Sequence, residues 1–412
     1  MIASTGWDVV VAGGGPAGAM TAWHLAKAGL KVAVLDASRF PRDKACGGGV
    51  QARTEPWIPF EWKSVVKASI HRADFTYRLA SRFSREYPEP LVHCVLRSEF
   101  DAHLLGAARE AGAKVFESVR VNSVDPRPGG VLLNTTLGEV RARYVVGADG
   151  ANTVVGQALN ARDSFFWQAA IYLEIPVAPG HAKRLTQDSL RIDWASLPSG
   201  YAWIFPKRET VNIGAGCPVA LAKALRHYLR SFLLAEELFE TAVVEKLKPV
   251  GHLLPTLTQK TVPAGRGLFL VGDAAGLVEP LTGEGISYAC HSASLAARSI
   301  VTSFGTEAEA SESYRRGLQK EIGVDLALAR RILSFGVSFP RLFYWAFRHS
   351  DDVWITFCKV LRGETTFEQL RNRILGPFKV LGSSIDAMVA RAERRRMAMP
   401  FSGDLLGESI RS

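Results

Sequence analysis

The stretch Trp7–Asp36, WDVVVAGGGPAGAMTAWHLAKAGLKVAVLD, decides the fold. Val9, Val10 and Val11 make the continuous apolar run of a buried parallel strand, Ala22, Leu25 and Ala26 form a helical stripe, and Lys31 to Asp36 returns as a second strand. Between strand and helix, Gly13, Gly15 and Gly18 stand in G-x-G-x-x-G spacing. The first permits a tight turn, the second lets a pyrophosphate reach the backbone, and the third lets helix and strand pack closely. Phosphates then sit at a helix N-terminus, where free N–H groups and the dipole favour negative charge. Asp36, at the end of the second strand, is placed to accept hydrogen bonds from a ribose. The expectation is a βαβ unit that binds a dinucleotide.

Outward from this unit the pattern changes twice. FTYRLASRF and GYAWIFPKRETVNIGAGC carry the β-branched and aromatic residues of antiparallel strands, GLFLVGDAAG returns to a buried strand, and a helix begins near Gly285. After about Thr306 the chain reads as mostly helical, with an aromatic-rich segment SFPRLFYWAFRHSDDVWITF. The expected fold is α/β (α+β overall): a Rossmann-like domain interrupted by an antiparallel sheet and followed by a helical region. Its expected parts are a discontinuous cofactor-binding domain at 1–72, 97–160 and 260–305, a substrate domain at 73–96 and 161–259, and a C-terminal helical region at 306–412.

Composition narrows the class. With 412 residues, 47% of them hydrophobic and 22% charged, disordered and fibrous classes are excluded. The net charge of +10 favours anionic partners, and its densest run is RAERRR, Arg391–Arg396. No nucleic-acid-reading module is present in the pattern, so no nucleic acid is expected. The five cysteines are dispersed without a CxxC pair, which argues against disulfides and metal and fits a reducing cytosol. No basic leader precedes the first strand, and no apolar run approaches the roughly 20 residues of a spanning helix. A cytoplasmic protein is expected, with peripheral contact to a membrane surface left open.

Further motifs name the dinucleotide. VVGADGANTVVG holds Asp149 and Gly150 after a buried strand, and LFLVGDAAGLVEPLTGEGIS holds Gly272 and Asp273 after another. These resemble the DG and GD motifs of the flavoprotein class to which p-hydroxybenzoate hydroxylase belongs, which implies FAD. The resemblance puts Asp273 on the ribityl chain or pyrophosphate; Asp149-Gly150 is also simply a turn pair. Arg97, in LRSEFDAHLLGAAREAG, matches an arginine that opens a helix and reaches the FAD, the alternative being an ion-paired arginine. In PLTGEGIS, Gly283 and Gly285 free the backbone at a helix start whose positive end would face an anionic group. The resemblance puts the flavin N1 and C2 carbonyl there, with Glu284 as an electrostatic cap.

PRDKACGGG, Pro41–Gly49, resembles the PxxKxCGGG signature of the geranylgeranyl reductase family, and YAWIFPK, Tyr201–Lys207, fits its YxWxFP signature. With the glycine, DG and GD motifs the resemblance spans about Met1 to Ser299. It implies an FAD-dependent reductase that saturates carbon–carbon double bonds of a polyprenyl chain by hydride transfer from flavin N5 plus protonation. The implied FAD contacts are Gly13, Gly15, Ala17, Gly18, Asp36, Ala37, Lys44, Cys46, Gly47, Gly48, Arg97, Asp149, Asp273, Gly283, Gly285 and Ile286.

The implied catalytic residues are Cys46, Tyr201 and Trp203, with Gly49, Tyr201, Trp203 and Phe205 lining the substrate channel. Gly47 to Gly49 are expected to let the chain pass close to the flavin ring. Cys46 either faces the reaction or is a small buried hydrophobe. Tyr201, Trp203 and Phe205 alternate and so share one strand face, which is a core face or an isoprenoid wall. The proton would come from Cys46, Tyr201 or ordered water. A flavin monooxygenase or halogenase of the same superfold is the alternative, because fold does not set chemistry. A redox-inactive prenyl-lipid carrier is a third. No second G-x-G-x-x-G is found, so the donor, NAD(P)H or ferredoxin-type, stays open. The aromatic segment Phe339–Phe357 would close the channel or lie on a membrane.

Overall fold

The computed structural model describes residues 6–375 apart from 179, 181, 183–185, 238–243 and 245. The basic run Arg391–Arg396 lies outside the described residues, as does 376–412 of the expected helical region.

The strand Trp7–Ala12 pairs in parallel with Val32–Asp36 on one side and Gly138–Gly147 on the other. Being flanked and covered on both faces, Val9, Val10 and Val11 are fully buried, as their unbroken apolar run requires. Leu268–Leu270 and Lys114–Glu117 extend this parallel core, and Val121–Arg127 and Gly130–Thr135 add an antiparallel meander. Helix Pro16–Lys27 starts with Gly15 as its N-cap and Pro16 at the first position, where a missing N–H costs nothing. It packs between helices Arg97–Glu110 and Ile286–Thr302.

A seven-stranded sheet stands apart, in the order Val250–Thr256, Phe166–Pro176, Thr210–Pro218, Tyr201–Pro206, Ser189–Trp194, Arg72–Tyr77, Ser81–Glu86. It is antiparallel except where Ser189–Trp194 runs parallel to Arg72–Tyr77. Between the two sheets, Val92–Val95 pairs with Gly49–Gln51 and Val66–Ile70. Val92–Val95 therefore returns the chain beside the glycine triplet just before helix Arg97–Glu110 begins.

Helices Val324–Ser338, Pro340–His349, Asp351–Leu361 and Phe367–Leu375 cover one face of the seven-stranded sheet. Asp351–Leu361 is capped by the Ser350 hydroxyl, which accepts from the Val353 N–H, and Asp351 and Asp352 complement its positive end. Against the sheet these helices build a second apolar core, where Phe75 meets Phe83, Phe347 and Trp354. The site lies where this core adjoins the first.

Candidate active site

One cavity of about 720 Å³ runs from the glycine turn of the first strand, past the PRDKACGGG segment, into the second core. At its first end, Gly13 has φ +102 and a side chain there would strike the Ala148 carbonyl. A side chain at Gly18 would strike the Gly13 carbonyl, so both glycines serve the turn and the helix packing. Gly15 and Ala17 line the cavity at the helix N-terminus. Asp36 Oδ2 accepts from the Gly14 N–H at 2.7 Å and Oδ1 from the Ser38 N–H at 2.8 Å, which fixes the carboxylate at the cavity wall. Ala37 is exposed and does not line the cavity; Ser38 does.

Asp149 is more than a turn residue. Its Oδ2 accepts from the Val154 N–H at 2.7 Å and the Val155 N–H at 3.2 Å, but its buried Oδ1 has no hydrogen-bond partner. Burial pushes this carboxyl above its ordinary range. A buried acceptor left open on the wall of a dinucleotide cavity fits a ligand hydroxyl.

Beyond the turn, cations and carboxylates interlock. Arg97 forks onto Asp101 with two bonds of 2.8 Å, and Asp101 also faces Arg42 at 3.1 Å. Arg97 is thus ion-paired and still lines the cavity, so the two sequence readings coexist. Lys44 Nζ lies 3.5 Å from His252 Nε2, which lies 3.8 Å from Asp273 Oδ2. Burial lowers the Lys44 ammonium, with Asp273 pulling the other way, and burial likewise lowers His252. Burial would raise Asp273, yet His252, Lys44 and Arg97 hold it below the usual carboxylate range. This ionised, half-open group suits hydroxyl or phosphate partners of a bound dinucleotide.

The PLTGEG turn is held from both sides. Glu279 accepts from the N–H groups of Leu281 and Thr282, and Gly283 takes a left-handed φ of +72. The Tyr201 hydroxyl donates to the Thr282 carbonyl at 2.7 Å, and burial pushes its pKa up. Tyr201 therefore clamps the turn. Gly285 is the N-cap of helix Ile286–Thr302, and Gly283, Gly285 and Ile286 line the cavity. Glu284 accepts from the Ser287 N–H at 2.6 Å, the capping expected of it, and burial pushes both it and Glu279 up to about 7.

The glycine triplet is required first by the protein's own side chains. A Cβ on Gly47 would lie 2.7 Å from Phe205 Cε2 and 3.3 Å from Trp203 Nε1, and one on Gly49 would lie 3.0 Å from Phe205 Cε2. Gly48 has φ +72 and its Cβ would meet Val95 O and Lys207 Nζ. Tyr201, Trp203 and Phe205 do share one face, with successive ring centroids 5.6 and 6.3 Å apart, and that face lies against the triplet. All three aromatics and Gly47 to Gly49 line the cavity, so the same close packing shapes its wall.

Cys46 is half-buried at this wall, and its Sγ accepts from the Gly48 N–H at 3.3 Å. Buried Asn212 anchors it, donating to the Cys46 carbonyl at 3.1 Å and to Glu174 at 2.8 Å while accepting from Trp203 Nε1 at 2.9 Å. Lys207 completes the network on Glu174 at 2.7 Å.

This set of a glycine turn, open Asp149 oxygen, ionised Asp273 and helix start at Gly285 fits FAD along its length. Residues 6–174 match the family model for the FAD binding domain. The chain is 30% identical over 395 residues to geranylgeranyl diphosphate reductase of Rhodobacter capsulatus, covering 91% of this chain and 94% of that one. The chain belongs to the geranylgeranyl reductase family. It is thus an FAD-dependent oxidoreductase.

The solved structure of a geranylgeranyl bacteriochlorophyll reductase-like protein from Thermoplasma acidophilum superposes with TM-score 0.70 at 22% identity, over 92% of this chain and 98% of that one. A flavin-dependent brominase superposes with TM-score 0.69 at 19% identity, over 91% and 100%. The fold of the reductase family is therefore shared with halogenases, as the superfold expectation held.

Several site residues carry no motif. His252 sits in an ordinary strand, so only the fold brings it to the cavity, and Asp101 is buried behind the wall, where it pairs with Arg97 and Arg42. Asn212 had a weak signal: a lone amide within the apolar strand TVNIGAGC. Trp194 and, from helices Pro340–His349 and Asp351–Leu361, Phe343, Phe347, Trp354 and Phe357 line the cavity from far along the chain. No helix among the described residues is long and apolar enough to cross a membrane.

Proposed function

We propose that this protein saturates carbon–carbon double bonds of a polyprenyl chain. The observation that carries the reading is the continuity of the cavity, whose inner limb is lined by Cys46, Trp203 and Phe205 and whose outer limb is walled by Phe75, Leu190, Ile192, Phe343 and Phe347. Such a limb, walled mainly by apolar side chains, takes an extended apolar chain. Reduced FAD, when bound, supplies the hydride, and NAD(P)H or a ferredoxin-type protein would restore it.

An isolated alkene is a poor electrophile, so placement matters most. Trp203 and Phe205, braced against Gly47 and Gly49, hold the chain to one plane. Tyr201 keeps the PLTGEG turn in position through the Thr282 carbonyl, a role that leaves its own proton engaged. Cys46 is the side chain we assign to deliver the proton to the other alkene carbon, with Asn212 fixing its backbone. The implied FAD contacts keep their roles in this proposal except Gly18, which packs against the Gly13 carbonyl and does not line the cavity, and Ala37, whose place at the wall Ser38 takes. A membrane supplies the lipid: helix Pro340–His349 turns Phe343 and Phe347 inward and leaves Trp345 57% exposed beside exposed Arg341 and Arg348.

Ile192→Trp tests the reading by narrowing the outer limb. Reduction of a twenty-carbon prenyl diphosphate should fall at least 10-fold in kcat/KM, while a ten-carbon analogue is spared. Equal rates with parent and variant on the long chain would remove the outer limb from the substrate path.

A further inference from the structure

The turn before helix Ile286–Thr302 is built around two acids. Glu279 and Glu284 are 1% and 6% exposed, and the Glu279 N–H donates to the Glu284 carbonyl at 2.8 Å, which joins the two backbones across the turn. The Glu279 carboxylate accepts from the N–H groups of Leu281 and Thr282 and from Thr282 Oγ1, and that hydroxyl in turn accepts from Gln51 Nε2 at 3.2 Å. Glu284 accepts from the Ser287 N–H and lines the cavity.

Neither carboxylate forms an ion pair with a cation among the described residues. The groups that face them are Arg53 from the segment Ala52–Trp57, Asp325 from helix Val324–Ser338, Tyr201 from its strand, and Tyr288 and Cys290 from helix Ile286–Thr302. Asp273 stands beside Gly285, with Oδ1 3.4 Å from the ideal Cβ position there. Arg53 is held by Asp325 and the Tyr288 hydroxyl at 2.9 Å each, Tyr288 donates to Asp325 at 2.7 Å, and Tyr201 donates to the Thr282 carbonyl. Two neighbouring buried carboxylates without a counter-ion repel each other and lack hydration, so they keep a proton between them where exposed acids have lost theirs. Burial pushes each up to about 7, and the charge of Glu279 raises Glu284 further. Glu279, with three donors, suits the charge; Glu284 suits the proton.

We infer that Glu279 and Glu284 are a proton-sharing pair that takes up one proton from solvent when FAD bound in this site is reduced and releases it on reoxidation. Glu284 carries the proton and Glu279 keeps it there. Two electrons from the donor and one proton reduce the cofactor; a second proton, from solvent, converts the Glu284 carboxylate to the acid. The negative charge that reduction adds beside the turn is thereby offset, and no bond of the substrate takes part. The inference rests on the proposed placement of FAD against Gly283, Gly285 and Ile286, and not on the alkene.

Spectroelectrochemical titration of the holoenzyme tests it without prenyl substrate, so the result stands whether or not an alkene is reduced. Below about pH 7 the pair already holds its proton. Above that, the equilibrium constant for reduction should fall about 100-fold per pH unit, which is about 59 mV for two electrons. Glu284→Gln keeps an acceptor for the Ser287 N–H and should lower the dependence to about 10-fold, or about 30 mV. Glu279→Gln removes the neighbouring charge, and the steep region should begin at lower pH. A midpoint that Glu284→Gln shifts equally at every pH overturns proton uptake while keeping the flavin at the turn. A midpoint that neither variant moves at any pH removes the flavin from the turn. Where a variant fails to hold FAD, the reduced-minus-oxidised infrared spectrum of the parent holoenzyme at about pH 8 decides. A protonated-carboxyl band gained on reduction and shifted in D2O supports the pair, and its absence overturns it.

Discussion

Adding one methyl group at Gly47 should destabilise the protein chiefly through Phe205, with Trp203 Nε1 the next atom it meets. Gly47 does not take a left-handed φ, so Gly47→Ala introduces no backbone strain, unlike the same change at Gly48 with φ +72. The new Cβ would sit 2.7 Å from Phe205 Cε2 and 3.0 Å from Cδ2. Ordinary carbon contacts lie near 3.5–4.0 Å, so the ring must move by roughly 0.8 Å or more. Its movement is limited by Trp203, whose ring lies beside it at 6.3 Å between centroids with a 32° tilt and is itself tied to Asn212 at 2.9 Å.

Overpacking of this size costs about 1–3 kcal/mol. Urea unfolding at fixed excess FAD, followed by tryptophan fluorescence, measures the loss. The double variant Gly47→Ala, Phe205→Leu removes the obstructing ring edge and should recover at least about 1 kcal/mol as a coupling term. A cost below 0.5 kcal/mol, or a double variant that is simply additive, would refute the packing argument for the triplet.

Three further outcomes follow from the same geometry. Glu284, pushed up to about 7, keeps its proton in the folded protein at pH values where the unfolded chain, titrating near 4.3, has lost it, so stability falls as pH rises from about 4.3 to 7 and then levels. Glu284→Gln keeps the acceptor for the Ser287 N–H and should flatten that slope, gaining up to about 3 kcal/mol at pH 8; a parent-like pH profile would contradict the burial argument. Asn212→Ala strips Trp203 Nε1 and the Cys46 carbonyl of partners and should lose about 2–4 kcal/mol in the same urea assay, where a loss under 1 kcal/mol would show that the network is not the anchor. Trp345→Ala with Arg341→Gln should abolish flotation with anionic vesicles and leave stability unchanged; parental flotation would remove helix Pro340–His349 from the membrane face.

The dinucleotide end was legible because local patterns there have local causes. An unbroken valine run, G-x-G-x-x-G and an acid at the strand end sit within thirty residues and are sufficient to build the turn. Tyr201, Trp203 and Phe205 were legible as one face, but what that face meets was not, since Gly47 and Phe205 come together only through the sheet–loop packing. His252 and Asn212 belong to the same class: each is a polar residue in a strand with at least one partner over thirty residues away. The aromatic segment after Phe339 was read as either channel wall or membrane face because periodicity cannot say what an amphipathic helix packs on. In the fold, one helix presents Phe343 and Phe347 to the cavity and Trp345 to solvent.

The central claim is tested most directly by an anaerobic single turnover: the purified flavoprotein is reduced with dithionite, freed of excess reductant, and mixed with geranylgeranyl diphosphate while flavin absorbance and product mass are followed. Reoxidation without oxygen, matched by a product two hydrogens heavier per double bond and lost in Cys46→Ala, is the result the account predicts. A flavin that stays reduced until oxygen is admitted, with a product that has gained oxygen or halide instead of hydrogen, would contradict it.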